Sequence, residues 1–392
     1  MYPSVTNQFR EGSPAMPGRE VVIDWHGRRA HAWVPGPLAK SSLVLSEPTV
    51  RRTEQAAASA RRVTDALPPG WAPLARLLLR TEGVASSSIE GIRAPLSDVA
   101  AAEVDPSSGE AAGWVANNLA VVTAAAAAGR AELLTTERVQ DWHGRLMEGP
   151  HGWLPPEMVG AFRTVQGWIG GTSPLDAVLV TPPPEFVPDL MDDLLAYVNR
   201  DDVDAVTQAA VAHAQFESIH PYADGNGRIG RVLVAWILVR RLELAVPPPV
   251  SVLIATDRGG YLSGLMRYRL GETDPWVRWF AGVVADASDA TLGLLDRVHA
   301  LTDEWSTRLR DVRADAAAQR LVVLLPQHPV TSATTVAAQL GVSERAARTA
   351  LSTLASHHIL EPFSPAHTAI GRPRSWWVAA ELLALVARWA GD

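Results

Sequence analysis

The chain contains no cysteine and a single lysine, Lys40. The first absence excludes disulfides, thiolate nucleophiles and cysteine-ligated metals, and it fits a reducing cytoplasm. The second excludes a P-loop, because no lysine stands in a G-x-x-x-x-G-K-[ST] pattern. It also leaves Schiff-base chemistry to Lys40 alone, in a stretch rich in proline, glycine and serine. The densest apolar run, residues 232–239, lies between Arg231 and Arg240. It is far short of the ~20 residues a membrane span needs, so it reads as a core helix. Met1 to Pro17 is polar and rich in proline and glycine, unlike a secretory signal. These absences set the expectation of a cytoplasmic chain without a membrane partner. Acidic residues outnumber basic ones, 42 to 35, for a net charge of -7, so nothing global calls for a polyanionic partner. With 392 residues, 47% of them hydrophobic, there is material for a large core and for two to three domains.

The fold class expected is mostly α. Val21–Trp25 and Arg29–Val34 form a hairpin pattern around His26 and Gly27, and helical spacing dominates from Val50 onward. Helices are expected over 51–67, 72–88, 111–128, 136–147, 188–199, 203–219, 229–242, 261–269 and 275–310. A short β-hairpin flap is expected between Trp168 and Val180, ended by three prolines from Pro182. The C-terminal segment changes character. Thr334–Leu340, Gly341 and Ser343–Leu354 follow a helix-turn-helix plan, with Ser343 as N-cap. Ile359–Phe363 and Ser375–Val378 suit a two-stranded wing tipped by Gly371–Arg374. Three regions result: 1–105 with the hairpin and a regulatory helix, 106–312 as the main helical body, and 313–392 as a small winged helix-turn-helix domain.

The stretch that carries chemistry is His220–Pro221–Tyr222–Ala223–Asp224–Gly225–Asn226–Gly227–Arg228–Ile229–Gly230–Arg231. Pro221 disfavours helical geometry at His220, so a helix should stop there with the imidazole at its end. Gly225, Asn226 and Gly227 all tolerate positive φ and can turn backbone N–H groups inward as an anion nest. A helix starting near Arg228 adds its positive end. Arg228 and Arg231, three apart, share a helix face and reach the same phosphates. Asp224 offers a hard oxygen ligand for Mg²⁺, and His220 is the neutral-pH base beside the cradle. Together these groups read as a phosphate-reaction site.

This stretch resembles the Fic family signature, His-Pro-Phe-x-Asp/Glu-Gly-Asn-Gly-Arg-x-x-Arg, with Tyr222 replacing the phenylalanine. Ala212–Ile219, Gly160–Arg163 and Tyr261–Trp276 are also similar to that family. The resemblance implies a helical core binding ATP and Mg²⁺. His220 would activate a Tyr, Thr or Ser hydroxyl of a target protein for transfer of AMP. Asp224 would hold the metal, Gly225, Asn226 and Gly227 the α- and β-phosphates, and Arg228 and Arg231 the outer phosphates. The flap would clamp the target backbone as an added strand. Ser86–Ser87–Ser88–Ile89–Glu90–Gly91 matches the family's inhibitory pattern, Ser/Thr-x-x-x-Glu-Gly/Asn. Ser86 and Glu90 would thus bear on Arg231 from an N-terminal inhibitory helix. Some relatives use the same glutamate to remove AMP, and many dimerise, so the resemblance carries both properties as well.

Two other readings stay open. His213, Glu217 and His220 lie at i, i+4 and i+7, a spacing acceptable for a metallohydrolase, though it leaves the Gly-Asn-Gly-Arg loop unexplained. Alternatively the chain is a DNA-binding transcriptional regulator with the helical core as sensor. Arg345 and Arg348 would then project from the recognition helix, and Arg372 and Arg374 from the wing. From Arg320 onward the charge is only weakly basic, so a winged helix that binds protein or dimerises is the competing account.

Overall fold

The computed structural model describes residues 18–390 apart from 69, 71, 106–108, 131–132, 150–153 and 366–374. Strands β1 (Arg19–Trp25) and β2 (Arg28–Val34) form an antiparallel hairpin turning at His26 and Gly27, both in the left-handed region. Then come α1 (Glu47–Ala66), α2 (Ala72–Ile89), α3 (Leu96–Ala102), α4 (Glu110–Ala128) and α5 (Thr136–Leu146). The flap is β3 (Trp168–Ile169) paired antiparallel with β4 (Leu179–Val180). Helices α6 (Val187–Val198), α7 (Ala205–Ile219), α8 (Asn226–Leu242), α9 (Val250–Thr256) and α10 (Arg258–Arg269) follow. The long α11 (Thr273–Arg308) leads to α12 (Ala317–Val322), β5 (Val330–Ser332), α13 (Ala333–Leu340), α14 (Glu344–Ser356), β6 (Glu361–Phe363), β7 (Trp376–Val378) and α15 (Ala380–Ala390). The chain is thus mostly helical with short antiparallel hairpins.

Two central helices explain where the core sits. Every residue of α7 is buried, and in α8 all but Gly227, Arg240 and Arg241 are buried. Helices apolar around their whole circumference must be enclosed by others. Here α4, α6, α1 and α11 surround them, and α2 packs on both α4 and α8. Helix α4 has the length and composition to cross a bilayer. Its buried Val115, Leu119, Val121 and Val122 face α2 and α8, as in a core helix.

The C-terminal elements differ from expectation in two ways. The sheet has three strands rather than two, in the antiparallel order β5-β7-β6. An additional helix, α15, follows it and packs on α11, α2 and α3. The expected wing tip, with Arg372 and Arg374, falls outside the described residues. Local capping is clear at the helix pair. The Ser332 side chain caps α13, Gly341 ends it at φ 65°, and the Ser343 hydroxyl accepts from Ala346 N–H to start α14. Helices α3, α9 and α15 were not anticipated, because short or unflanked segments carry little periodic signal.

Candidate active site

Helix α7 ends at Ile219, and His220 takes a left-handed conformation with φ 51°. This is uncommon for a residue bearing a Cβ and costs roughly 1–3 kcal/mol, so the surroundings must enforce it. Pro221 turns the chain, and Tyr222 anchors the loop in the core. Its ring stacks on His143 with centroids 3.9 Å apart and lies 5.7 Å from Phe162. Asn226 closes the turn through its side chain: Oδ1 accepts from Tyr222 N–H at 2.9 Å and Nδ2 donates to Tyr222 C=O at 2.8 Å. Only Gly225 of the Gly-Asn-Gly trio has positive φ, at 76°. The other two stay in helical geometry, because the locked Asn226 side chain lets α8 begin at Asn226 itself. The inward N–H groups are therefore those of a helix's first turn, at Asn226, Gly227 and Arg228, which have no preceding helical carbonyl to donate to.

Around this helix start the ionisable residues converge. Arg228 is 2% exposed; its Nη2 lies 3.3 Å from Asp224 Oδ2 and 3.8 Å from Met147 Sδ. Its Nε and Nη1 are buried with no partner. Arg231 is 1% exposed. Its Nε donates to Ser86 Oγ at 2.9 Å, and its Nη2 to Ser86 C=O and Glu90 Oε1, each at 2.7 Å. A Cβ on Gly227 would stand 2.1 Å from Glu90 Oε1, so the glutamate rests directly on the first turn of α8. Burial alone raises the Glu90 pKa, but Arg231, Arg228 and His220 outweigh it and the carboxyl is held below its usual range.

His220 has its Nδ1 edge buried, 3.8 Å from Glu217 Oε2. Burial and then the neighbouring Arg163 lower the imidazole to about 4, so it is a neutral base at neutral pH. Glu217 is raised to about 7, chiefly by burial and next by the Glu90 charge. His213 bonds Tyr261 at 2.9 Å instead of sharing a ligand set with Glu217 and His220. Among the described residues no group of three His, Cys, Asp or Glu side chains is arranged to hold a metal.

Sequence reasoning missed two buried residues here. His143 accepts Gly160 N–H at Nδ1, 2.9 Å away, which leaves its Nε2 protonated to donate to Asp224 C=O at 3.1 Å. Burial lowers its pKa to about 4, so it stays neutral and fixes the loop that carries Asp224. The other is Arg163, 3% exposed, whose donors go to main-chain carbonyls. Neither has a sequence signal beyond Arg163's place in Gly160–Arg163, because backbone acceptors leave no complementary residue type to find. The tip of the flap is tied by Asp176, which accepts from Thr172 and Ser173 N–H.

Residues 133–238 match the Fic/DOC family, and that segment contains the flap and the whole His220–Arg231 loop. The chain thus contains a segment that matches the Fic/DOC family and is similar to proteins named adenylyltransferases. It is 29% identical over 151 residues to protein adenylyltransferase fic-1 of Caenorhabditis elegans, covering 38% of this chain and 27% of that protein. It is 31% identical over 164 residues to protein adenylyltransferase Fic of Drosophila erecta, covering 41% and 29%. The similarity thus spans under a third of each curated relative. In fold the chain is similar to a Fic family protein from Desulfovibrio desulfuricans, with a TM-score of 0.53 at 22% identity over 86% of this chain and 97% of that one. A Fic domain containing signaling protein from Bacteroides thetaiotaomicron gives 0.50 at 17% identity over 61% and 95%. The family match covers neither Ser86–Gly91 nor the C-terminal elements.

Proposed function

We propose that the chain transfers AMP from ATP to a Tyr, Thr or Ser hydroxyl of a target protein, and that Glu90 restrains the reaction. The observation that carries this reading is the set of buried guanidinium donors left without partners: Arg228 Nε and Nη1, and Arg231 Nη1. Unpaired buried donors on a charged group are costly, and they surround a helix N-terminus that itself attracts anions. A polyphosphate satisfies both. The Asn226, Gly227 and Arg228 N–H groups and the two guanidiniums would hold its oxygens. The Asp224 carboxylate, about a third exposed, fits Mg²⁺, which would neutralise charge on the phosphates. His220 then takes the proton of the acceptor hydroxyl, whose oxygen bonds the α-phosphorus as the bond to pyrophosphate breaks. Positioning and charge stabilisation account for most of such a transfer.

The brake follows from the same contacts. While Glu90 holds Arg231 and covers Gly227, the outer phosphates lack one partner and a carboxylate repels them. Glu90→Gly should raise nucleotide incorporation, measured by mass spectrometry of the protein and co-purifying proteins after incubation with mixed nucleotides and Mg²⁺. An added AMP in the variant above the wild-type level is the expected result. Equal incorporation in both contradicts the brake, and none with any nucleotide contradicts the transfer. Removal of AMP through Glu90 is read out by the same experiment run on labelled protein.

Residues 313–392 are further proposed to be a winged helix-turn-helix domain, supported by the capped α13–α14 pair and the β5-β7-β6 order. Among its described residues, one arginine expected on the recognition helix is already paired. Arg348 pairs with Glu344 at 3.0 Å. Arg345, Thr349 and Thr353 line a hollow of about 410 Å³ bordered by Val312 and Ala316–Ala318, so that side of α14 is flanked by the preceding segment. A gel shift at low salt that disappears in Arg348→Ala would support DNA instead.

A further inference from the structure

Beyond its electrostatic effect on His220, Arg163 is among the most enclosed cations of the described residues. Its Nε donates to His220 C=O at 2.8 Å, and its Nη2 to Ile219 C=O at 3.3 Å. Both carbonyls belong to the C-terminus of α7, the negative end of a helix, where a cation is favoured. The other donors face the flap. Nη1 reaches Val165 C=O at 3.0 Å, just before β3, and Nη2 reaches Pro182 C=O at 2.6 Å, just after β4. Its own N–H donates to Pro221 C=O at 2.9 Å. The two roots of the flap are also stitched to each other: Thr181 Oγ1 donates to Gly167 C=O at 2.9 Å and Gln166 Nε2 to Thr181 C=O at 2.7 Å. Gly167 is a glycine in the path of this arrangement, since a Cβ there would lie 2.8 Å from Thr181 Oγ1 and 3.3 Å from Arg163 Nε.

From this geometry we infer that Arg163 is a positioning residue that fixes the target-docking flap to the catalytic base. One planar guanidinium spans both ends of the flap and the residue that carries the imidazole, so the distance from a docked hydroxyl to His220 depends on it. The carbonyl bonds also hold His220 in its left-handed backbone. A lysine, with one point of charge and no fork, leaves most of these carbonyls without donors. The inference rests on the transfer reading above and assigns its geometric control to a residue that touches no substrate.

The test uses Arg163→Ala and Arg163→Lys in the Glu90→Gly background. Incorporation of AMP should fall about 100-fold, the scale of a 1 Å misplacement of reacting groups. Affinity for Mg-ATP, measured by calorimetry, should stay within roughly threefold, because Arg163 is not part of the phosphate cradle. Guanidinium chloride at non-denaturing concentration should restore part of the rate in Arg163→Ala and none in Arg163→Lys, where the ammonium fills the space. Incorporation within about threefold of the parent, or an equal fall in affinity and rate, overturns the inference. A crystal structure of Arg163→Lys separates this from failure of the transfer reading. His220 is expected to leave the left-handed region or the flap to shift against α7, and an unchanged arrangement of both contradicts the inference whatever the activity.

Discussion

Arg228 and Arg231 on α8, and Arg345 and Arg348 on α14, share a spacing of three and a place in the first turns of a helix. Their fates differ completely. The first pair is 2% and 1% exposed, with orphaned donors turned into one cradle. In the second pair both residues are exposed, and Arg348 is held by its neighbour Glu344. The difference lies in the rest of each helix. Apolar residues surround α8, so whatever its first turn carries is enclosed with it. Helix α14 buries only Ala347, Ala350, Leu351 and Leu354, which leaves its arginines on the wet face. A buried guanidinium without a full set of partners is expensive, and a protein keeps it where a ligand completes the set. A solvated one carries no such demand.

Substitutions at the two arginine pairs and their surroundings should differ in the size of their effect. The largest effect is expected at the proposed base: His220→Ala in the Glu90→Gly background should lower AMP incorporation by about 10²- to 10⁴-fold. Its Mg-ATP affinity should change little, as read by incorporation assays beside calorimetry. Next, Arg228→Ala should weaken Mg-ATP binding by about 10- to 100-fold, the scale of a lost charged hydrogen bond. Arg345→Ala should leave that affinity alone. Loss of affinity in both would erase the distinction between the two pairs.

A smaller effect concerns Glu217. Its folded pKa stands near 7 against an ordinary 4.5, raised mainly by burial. Between those values the folded state holds a proton the unfolded state has released. The group therefore destabilises the fold as pH rises through this window. Glu217→Gln should melt higher than the parent by roughly 2 °C or more at pH 8, with a smaller gain at pH 5, by scanning calorimetry at both values. A difference independent of pH would contradict the shift. The smallest effect is expected at the surface: Arg348→Ala should change stability by less than about 1 kcal/mol in denaturant unfolding, as an exposed i,i+4 pair contributes little.

The site was legible in sequence to the extent that it is contiguous. His220 through Arg231 places base, carboxylate, glycine turn and arginines within a single loop, and Pro221 alone indicates where α7 must stop. The same stretch misled where a side chain acts on the backbone. Asn226 looked like a turn residue, but its amide is spent on Tyr222, and the helix starts two residues earlier than its arginine suggested. Glu90 and Arg231 lie far apart in the chain, and only a resemblance could join them beforehand. His143 and Arg163 were invisible because their partners are backbone groups, which every residue has. In the fold, the long helices were readable from apolar spacing. Helix α9, strand β5 and helix α15 were not, since each takes its identity from what it packs against.

The claim beneath all of this is that the start of α8 is an enclosed anion cradle waiting for a polyphosphate once Glu90 is removed. Calorimetric titration of Glu90→Gly with ATP, with and without Mg²⁺, tests it directly. One saturable site per chain is predicted, tighter than in the wild type and weakened when Asp224→Ala removes the carboxylate beside Arg228. Absence of any heat of binding in Glu90→Gly with Mg²⁺ present would contradict it.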